Sequence, residues 1–309
     1  MPAELPHNFA SALTQLESRL GPRDGEPAVL GGGITNQNFR MSFGGRECVL
    51  RIAGRDTDLL GIDRECERAA TEAAAAAGIG PEVVAFLDDP ECLVTGFIPG
   101  RLLVEGDLTR PDALAEAAVT LWTVHGGPRI ACGFSPFAVV DTYLERAQAR
   151  GAAVPGAFGD LREGARAIER ALDPAHPENA AVPCHNDLLI ANFIHDGERL
   201  RLVDWEYAGM GNRYFDLGNL SVNNAFSEAG DEWLLECYWG EPCTRRRFAS
   251  VRLMRIMSDF REAMWGVLQG TISEIDFDYA AYAQEHFERV RAGFADPRFG
   301  VWLQDASGS

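Results

Sequence analysis

Three polar residues at fixed distances along the chain, Asp187, Asn192 and Asp204, constrain its fold and chemistry more than any other feature. Asn192 follows Asp187 by five residues, and Asp204 comes twelve residues later, after a short apolar run. Phosphoryl transfer from ATP needs such a set, because one carboxylate orients the attacking hydroxyl and takes its proton while an amide and a second carboxylate hold magnesium. The spacing predicts Asp187 as the base and the other two as magnesium ligands. The alternative is a polar loop with no chemistry.

The composition is that of a globular protein with room for two cores. The chain has 309 residues, of which 46% are hydrophobic and 24% charged. Its formal net charge is −18 and no basic stripe is present, so nucleic acid is not expected as a partner. The acidity suits a cationic substrate, although acidic balance more commonly serves solubility.

No segment of the sequence predicts membrane insertion or secretion. An apolar run of about 18 residues is absent, and residues 1–20 form an amphipathic polar segment. The seven cysteines are scattered along the chain and odd in number. They favour reduced thiols in a cytoplasmic protein and do not form the pattern of a zinc site.

Hydrophobic periodicity and turn residues predict a strand-rich first third and a helical remainder. Strands are expected at 29–30, 40–43, 47–52, 83–87 and 92–97, with helices at 8–20 and 62–77. Residues 96–100 are bounded by glycines and predict a hinge. Beyond them, helices are expected at 111–125, 139–150 and 160–172, then strands around 193–204 and helices to about 292, with a frayed end.

A glycine-rich turn joins the first two predicted strands. Three consecutive glycines let backbone N–H groups approach a phosphate closely, and polar residues that follow add further donors. The residues expected at the phosphates are Gly31, Gly32, Gly33, Thr35, Asn36 and Asn38. An ordinary hairpin turn is the alternative.

Arg51, on the next predicted strand, is the candidate cation for the phosphates. All 28 residues counted as Lys+Arg are arginine, so no lysine can take this part. Arginine can bind a phosphate or a carboxylate through two parallel hydrogen bonds. A carboxylate of the 62–77 helix should hold it, with Glu67 the first choice and Glu65 the second. The alternative is a surface ion pair of little energetic value.

Seven segments together carry a resemblance to a known family. They are 32–36, 49–51, 62–67, 97–99, 185–192, 203–207 and 215–219. In these segments the chain resembles the choline/ethanolamine kinase family, in the aminoglycoside-phosphotransferase-like branch of the protein-kinase fold. The resemblance implies a two-lobed α+β fold. It has a small five-stranded lobe with one helix at 1–95, a hinge at 96–100 and a larger, mainly helical lobe at 101–309.

The same resemblance implies the cofactors ATP and Mg²⁺ and assigns roles to single residues. Asp187, Arg51 and Glu67 take the catalytic and ion-pair roles, and Thr95 and Phe97 lie at the hinge beside the nucleotide. His185 is expected to brace the loop by hydrogen bonds rather than to act as a base.

The C-terminal part of the chain resembles the family's substrate side. By that likeness Trp265, Phe277 and Tyr282 form part of an aromatic cage, and cation–π attraction to an ammonium fits such a cage. An aromatic helix core is the alternative. Glu206 either lines the substrate side or packs at its strand end.

The substrate side also departs from the family pattern at two positions. The family has a second tryptophan where this chain has Glu262, and a pocket carboxylate where it has Asn223. Glu262 lies three residues before Trp265, so both share one helix face. We expect Glu262 to replace the missing carboxylate and to favour a primary or less methylated amine.

The sequence therefore predicts an enzyme that transfers phosphate from ATP to the hydroxyl of a small amino alcohol of the choline or ethanolamine type. A kinase of another hydroxylated compound, such as an aminoglycoside, a sugar or a thiamine-like alcohol, is one alternative. A catalytically silent nucleotide- or amine-binding protein is another. The sequence leaves the oligomeric state open, with a homodimer among the options.

Overall fold

A computed structural model describes residues 8–30, 37–52, 57–155, 158–273, 275 and 277–308. The first part of the chain forms a five-stranded antiparallel sheet in the order β1-β2-β3-β5-β4. Its strands are β1 (Ala28–Leu30), β2 (Gln37–Phe43), β3 (Arg46–Ile52), β4 (Val83–Asp88) and β5 (Glu91–Gly96). The sheet and the helical remainder confirm the predicted α+β fold class.

One amphipathic helix covers this sheet. Helix α1 (Phe9–Leu20) places Phe9, Ala12 and Leu16 at helical spacing on one face, and all three are buried. The Phe9 ring packs on Phe39 of β2, with ring centroids 4.6 Å apart. The sheet thus acquires an apolar core of its own on the side of α1.

A second helix is inserted between β3 and β4. Helix α2 (Arg64–Ala76) begins after Asp63, whose side chain accepts a hydrogen bond from the Cys66 N–H at 3.0 Å. Alanine-rich sequence continues the helix to its last turn, and Gly78 then adopts a positive φ of 71°. The helix buries Glu67, whose side chain pairs with Arg51 of β3.

The rest of the chain is mainly helical, with two small sheets. Strand β6 (Arg101–Leu102) pairs with β8 (Phe193–His195), which pairs with β9 (Leu200–Leu202), and β7 (Ala181–Cys184) pairs with β10 (Gly209–Asn212). The helices are α3 (Pro111–His125), α4 (Pro136–Ala149), α5 (Phe158–Ala171), α6 (Arg213–Asn223), α7 (Glu228–Trp239), α8 (Arg245–Ile272), α9 (Tyr279–Ala295) and α10 (Phe299–Ser307).

Helix α8 is the centre of the helical part. It has 28 residues, and nearly all of residues 247–269 are buried because α4, α6, α9 and α10 pack around it. Helix α6 approaches closely at Gly218, where an added Cβ would lie 2.9 Å from the backbone of Arg255. Side chains from the middle of α8 therefore reach the interior, where Arg261 contacts Asp187.

Two sequence predictions are wrong. The end of the chain is not frayed, because α10 buries Trp302 and Ala306. The cysteines are not all reduced: Cys66 of α2 forms a disulfide with Cys132, which lies between α3 and α4. The other five are free thiols. The disulfide ties α2 to the helical part of the molecule.

Within the described residues, no helix is both long enough and apolar enough to cross a membrane.

Strand β5 ends at Gly96, and residues 97–100 lead into β6. Gly100 passes so close to β8 that an added Cβ would lie 2.7 Å from the His195 carbonyl oxygen. The predicted lobe boundaries at 95 and 100 remain a prediction.

Candidate active site

The loop between β7 and β8 is held by the first residues of α6. Asp216, fully buried, accepts hydrogen bonds from the backbone N–H groups of His185 (2.8 Å) and Asn186 (2.7 Å). Asn219 Oδ1 accepts another from the Leu188 N–H at 2.6 Å. Asn186 adopts a positive φ of 66°, which these bonds stabilise. The loop therefore has one fixed conformation.

Asp187, Asn192 and Asp204 meet at the end of this loop. The Asn192 side-chain amide donates to the Asp187 backbone carbonyl oxygen at 2.9 Å, and the backbone carbonyl oxygen of Asn192 accepts from the Val203 N–H at 3.0 Å. The second bond places Asp204, at the end of β9, beside the loop. Asp204 has a positive φ of 70°, which turns the chain sharply.

His185 braces the loop from inside, as predicted. Its Nδ1 accepts from the Asp187 N–H at 3.2 Å and its Nε2 lies 3.0 Å from the Val203 carbonyl oxygen. The ring is fully buried and packs on Trp205 at 4.6 Å between centroids. Burial lowers the pKa of His185, so the ring is neutral at neutral pH.

Arg51 of β3 joins the small sheet to the loop. Its Nη1 lies 2.6 Å from Glu67 Oε1, and its Nη2 forms an ion pair with Asp204 Oδ1. Burial alone would lower the pKa of Arg51, but Asp204, Glu67 and Glu206 together hold it well above its ordinary value. The pair is not a surface contact, because the side chains of Arg51 and Glu67 are 11% and 1% exposed.

Two further groups complete this charged cluster. Arg64 Nη1 lies 2.7 Å from Glu67 Oε2 and 3.6 Å from Glu206 Oε2. Glu65, the second candidate for Arg51, is exposed and instead lies 3.8 Å from Arg68. Removing one partner from such a buried pair costs about 3–5 kcal/mol, since the other charge is left uncompensated. The cluster thus fixes α2 against the sheet and the loop.

A cavity of about 440 Å³ opens between the sheet and the loop. Such a volume suits a small ligand, since ligand sites typically enclose about 300–1,000 Å³. The residues that line it include Leu30, Asn38, Arg51, Thr95, Phe97, Ile98, Asn192, Ile194 and Asp204. One end of the cavity is apolar, and the other carries the charged cluster.

The donor set at this end of the cavity fits magnesium. An amide oxygen of Asn192 and a carboxylate of Asp204 face one wall, and oxygen ligands of this kind are those that Mg²⁺ prefers. Asp204 Oδ1 is buried with no hydrogen-bond donor among the described residues other than its ion-pair partner Arg51. These residues therefore fit the predicted ion.

Aromatic residues gather on the other side of Asp187. The Trp265 ring lies 5.6 Å from Tyr282 and 5.9 Å from Tyr279, and Phe277 lies 5.9 Å from Tyr282. Trp265 Nε1 donates to the Tyr207 hydroxyl at 3.2 Å. The rings meet edge to face, which is the favourable arrangement for aromatic pairs.

Two charged residues of α8 lie between these rings and Asp187. Arg261 Nη1 lies 3.2 Å from Asp187 Oδ1 and pairs closely with Glu262 Oε1. Glu262 Oε2 accepts a hydrogen bond from the Tyr282 hydroxyl at 2.8 Å. Burial raises the pKa of Asp187 to about 7, and the neighbouring Arg261 acts in the opposite direction.

Comparison with known proteins identifies the chain. Residues 27–242 match the phosphotransferase enzyme family (APH). A choline/ethanolamine kinase family protein from Mesorhizobium loti superposes with a TM-score of 0.82 at 31% identity, over 97% of this chain and 99% of that one. The chain belongs to the choline/ethanolamine kinase family. It is a small-molecule kinase.

Two further relatives agree with this assignment. Ethanolamine kinase 2 of Rattus norvegicus is 27% identical over 272 residues, which cover 79% of this kinase and 69% of that protein. LicA in complex with AMP shares the fold, with a TM-score of 0.75 at 22% identity over 96% of this kinase and all of that chain. The predicted resemblance and fold are confirmed.

The structure brings most of the predicted site residues of the kinase together. Asp187, Asn192, Asp204, Arg51 and Glu67 form one connected cluster. Thr95, Phe97 and Asn38 line the cavity with it. The Phe97 N–H already donates to the Glu47 carbonyl oxygen at 3.0 Å, and the Arg40 guanidinium lies over the Phe97 ring. The roles assigned to these residues remain predictions.

Five of the residues predicted at the phosphates lie outside the described part of the kinase: Gly31, Gly32, Gly33, Thr35 and Asn36.

Two further residues were predicted on the substrate side, Glu206 and Asn223. Glu206 forms ion pairs with Arg51 and Arg64. Asn223 lies at the end of α6, and its buried Nδ2 has no hydrogen-bond partner within the described ranges. A substrate role for either residue stays a prediction.

Sequence reasoning missed Arg261, which contacts both Asp187 and Glu262. The Arg261 guanidinium lies over the Tyr207 ring, 4.3 Å from its centroid. The available signal was weak: two adjacent charges, Arg261 and Glu262, stand directly before the apolar run 263–268. Adjacent charges of this kind usually mark a solvated face of a helix, but here both are buried.

Proposed function

We propose that this kinase transfers the γ-phosphoryl group of ATP, with Mg²⁺, to the hydroxyl of a small amino alcohol of the choline or ethanolamine type. The observation that carries the proposal is the convergence of Asp187, Asn192, Asp204 and Arg51, of which the last three line the cavity. Phosphoryl transfer depends almost entirely on positioning and charge stabilisation, and this cluster supplies both.

The nucleotide would occupy the 440 Å³ cavity. Its apolar end, with Leu30, Ile98 and Ile194, suits a planar base, and Arg51 at the other end suits phosphates. LicA, which has the same fold, has been solved with AMP, and this supports nucleotide use. Arg51 would then exchange part of its contact with Asp204 for phosphate oxygens.

Asn192 and Asp204 would hold magnesium through their side-chain oxygens. Bound there, the ion would neutralise charge on the phosphates as it develops. Arg51 lies within ion-pair distance of both Glu67 and Asp204, so it links the metal ligands to α2.

Asp187 would act as the base. Its carboxylate orients the acceptor hydroxyl and takes the proton as the new O–P bond forms and the bond to ADP breaks. The backbone of Asp187 is fixed by His185 and Asn192, so the carboxylate has a defined direction. The acceptor ammonium would lie among Trp265, Phe277 and Tyr282, with Glu262 as its counter-charge.

The test is ADP release from Mg-ATP with choline and with ethanolamine, with the phosphorylated product identified by ³¹P NMR. We expect turnover of at least one acceptor, and Asp187→Asn should lower kcat by about 10²–10⁴-fold while ATP still binds. Asp160→Asn, the same change at an exposed position on α5, serves as the matched control.

Each result has a separate meaning. Full activity in Asp187→Asn would remove the proposed base. Intact ATP binding with no turnover of either amine would place the acceptor in another class of hydroxylated compound.

A further inference from the structure

Arg261 is a buried arginine at the acceptor side of the site. It lies in the middle of α8, next to Glu262, and its side chain is 2% exposed. A buried charge is costly unless it is paired and hydrogen-bonded. The packing of its guanidinium on the Tyr207 ring, at 4.3 Å, provides a fixed platform but does not satisfy its N–H groups.

Among the described residues, one of its three guanidinium nitrogens makes polar contacts. Nη1 is shared between Asp187 and Glu262. Nε and Nη2 are buried and have no hydrogen-bond partner in the part of the chain that the structure describes. An unsatisfied buried donor costs about 1–3 kcal/mol, and more when it is charged, so two such donors on one group point to a ligand.

The unpaired nitrogens belong to the guanidinium that contacts the base. The acceptor hydroxyl must come within hydrogen-bond distance of the Asp187 carboxylate, and Arg261 Nη1 is 3.2 Å from that carboxylate. A guanidinium is planar and rigid, so Nε and Nη2 lie within two bonds of Nη1 and therefore close to the Asp187 carboxylate. An anionic group attached close to the hydroxyl would meet them.

The pairing of the charges also favours such an acceptor. Beside the base Asp187 (−1), the charges of Arg261 (+1) and Glu262 (−1) cancel, and both Glu262 oxygens are already engaged, one by Arg261 and the other by the Tyr282 hydroxyl. A simple cation therefore meets a counter-charge that is already paired. A zwitterion presents an ammonium to Glu262 and an anion to Arg261, so neither buried charge loses a partner when it binds.

We infer that the preferred acceptor is a zwitterionic amino alcohol. It carries a carboxylate, or a comparable anionic group, about two to three bonds from the carbon that bears the hydroxyl. Arg261 binds this group through two parallel N–H···O hydrogen bonds. The inference rests on the proposed function and narrows its acceptor class. Arg261 is thus a specificity-determining residue, and Glu262 binds the ammonium of any amino alcohol.

L-Serine and ethanolamine test the inference directly, because they differ only by the carboxylate. The quantity to measure is the ratio of kcat/KM for L-serine to kcat/KM for ethanolamine, with L-homoserine as a longer probe. We expect the ratio to exceed about 10 in the wild type and to fall about 100-fold in Arg261→Met, since a charged hydrogen-bonded pair is lost. Arg261→Lys, which keeps the charge without the fork, should give an intermediate ratio.

Arg255→Met is the matched control. Arg255 lies on the same helix, where it pairs with Asp231 and contacts Ser221. Its loss should lower stability but should not move the selectivity ratio. A ratio is used because a general loss of activity or of folded protein cancels in it.

The outcomes separate the two proposals. Wild-type turnover of ethanolamine without turnover of L-serine or L-homoserine overturns the inference and leaves the proposed function standing, whether or not the variants fold. An unchanged ratio in Arg261→Met also overturns it. Turnover of choline alone overturns the inference and leaves the proposed function standing. Absence of turnover on all three acceptors and on choline, with ATP binding intact, refutes the proposed function itself and the inference with it.

Discussion

The nucleotide side and the acceptor side of Asp187 are built in different ways. On the nucleotide side, charges come from strand ends, a loop and α2, and each acid faces an arginine. On the acceptor side, two adjacent charges of α8 are buried beside aromatic rings, and two Arg261 nitrogens have no hydrogen-bond partner within the described segments.

The difference matches the ligands that the two sides would meet. Phosphates and magnesium vary little between kinases, so a closed charge network can be complete before the ligand binds. An acceptor differs from one kinase to another, and unpaired buried groups are what allow a site to reject the wrong molecule. The following substitutions separate the two sides.

The largest effect is expected on the nucleotide side, at Arg51. Replacing it with methionine leaves Glu67 and Asp204 without their shared cation, so kcat/KM for ATP should fall by about 10²–10³-fold. KM for the acceptor should stay within about threefold, because Arg51 faces the cavity and not the aromatic rings. Steady-state kinetics with each substrate varied in turn give both values.

Arg68→Met controls for the loss of an arginine, because Arg68 lies on the exposed face of α2 and pairs with Glu72. Thermal unfolding reports whether Arg51→Met is folded. An unchanged KM for ATP in a folded Arg51→Met protein would contradict the proposed role of Arg51 in binding the nucleotide.

The next effect is expected at Glu262. Glu262→Gln keeps an acceptor for the Tyr282 hydroxyl but removes the negative charge, so KM for every amine acceptor should rise by about 10–100-fold. The KM for ATP should not change. Glu285→Gln, an exposed position of α9, is the matched control. Equal amine KM values in Glu262→Gln and wild type would contradict the assignment of Glu262.

A smaller effect is expected at Phe277. Its ring is 42% exposed and lies 5.9 Å from the Tyr282 ring. One cation–π contact contributes about 0.5–2 kcal/mol, so Phe277→Leu should raise KM for the amine by about 2–30-fold. Trp233→Leu, at an aromatic residue with the same 42% exposure on α7, is the control. If both variants give the wild-type KM, Phe277 is not part of the cage.

The smallest effect on activity is expected from the disulfide, which changes stability instead. Cys66→Ser should lower the free energy of unfolding by about 2–4 kcal/mol, because the bond closes a long loop between α2 and the segment before α4. Thermal unfolding under oxidising conditions measures the change, with Cys237→Ser as a free-thiol control. A Tm equal to that of the control would contradict a stabilising disulfide.

Much of the nucleotide side could be predicted because its signals are local. Asp187 and Asn192 are five residues apart in one loop, and the absence of lysine left Arg51 as the cation on its strand. The choice of Glu67 over Glu65 also follows from local structure, since the two are two positions apart on α2 and face different directions. The contact between Arg51 and Asp204 could not be predicted, because 153 positions separate these residues in the chain.

The acceptor side was predictable only in part. The aromatic residues Trp265, Phe277 and Tyr282 were expected together, and the structure brings them together. Arg261 was not expected, because burial of a charge on a helix depends on what packs around that helix. The pairing of Cys66 with Cys132 was missed for the same reason, since their spacing alone carries no signal.

The sequence by itself determined the α+β fold class and the residues proposed for the base, the metal ligands and the cation, because these depend on short-range spacing and on which side chains are present. Tertiary structure alone decided that α8 lies at the centre of the helical part, so that Arg261 and Glu262 are buried beside Asp187. The physical reason is that burial removes the water that would otherwise solvate a charge. On a surface the Arg261 guanidinium would bind water, whereas in the interior each N–H group without a partner costs free energy.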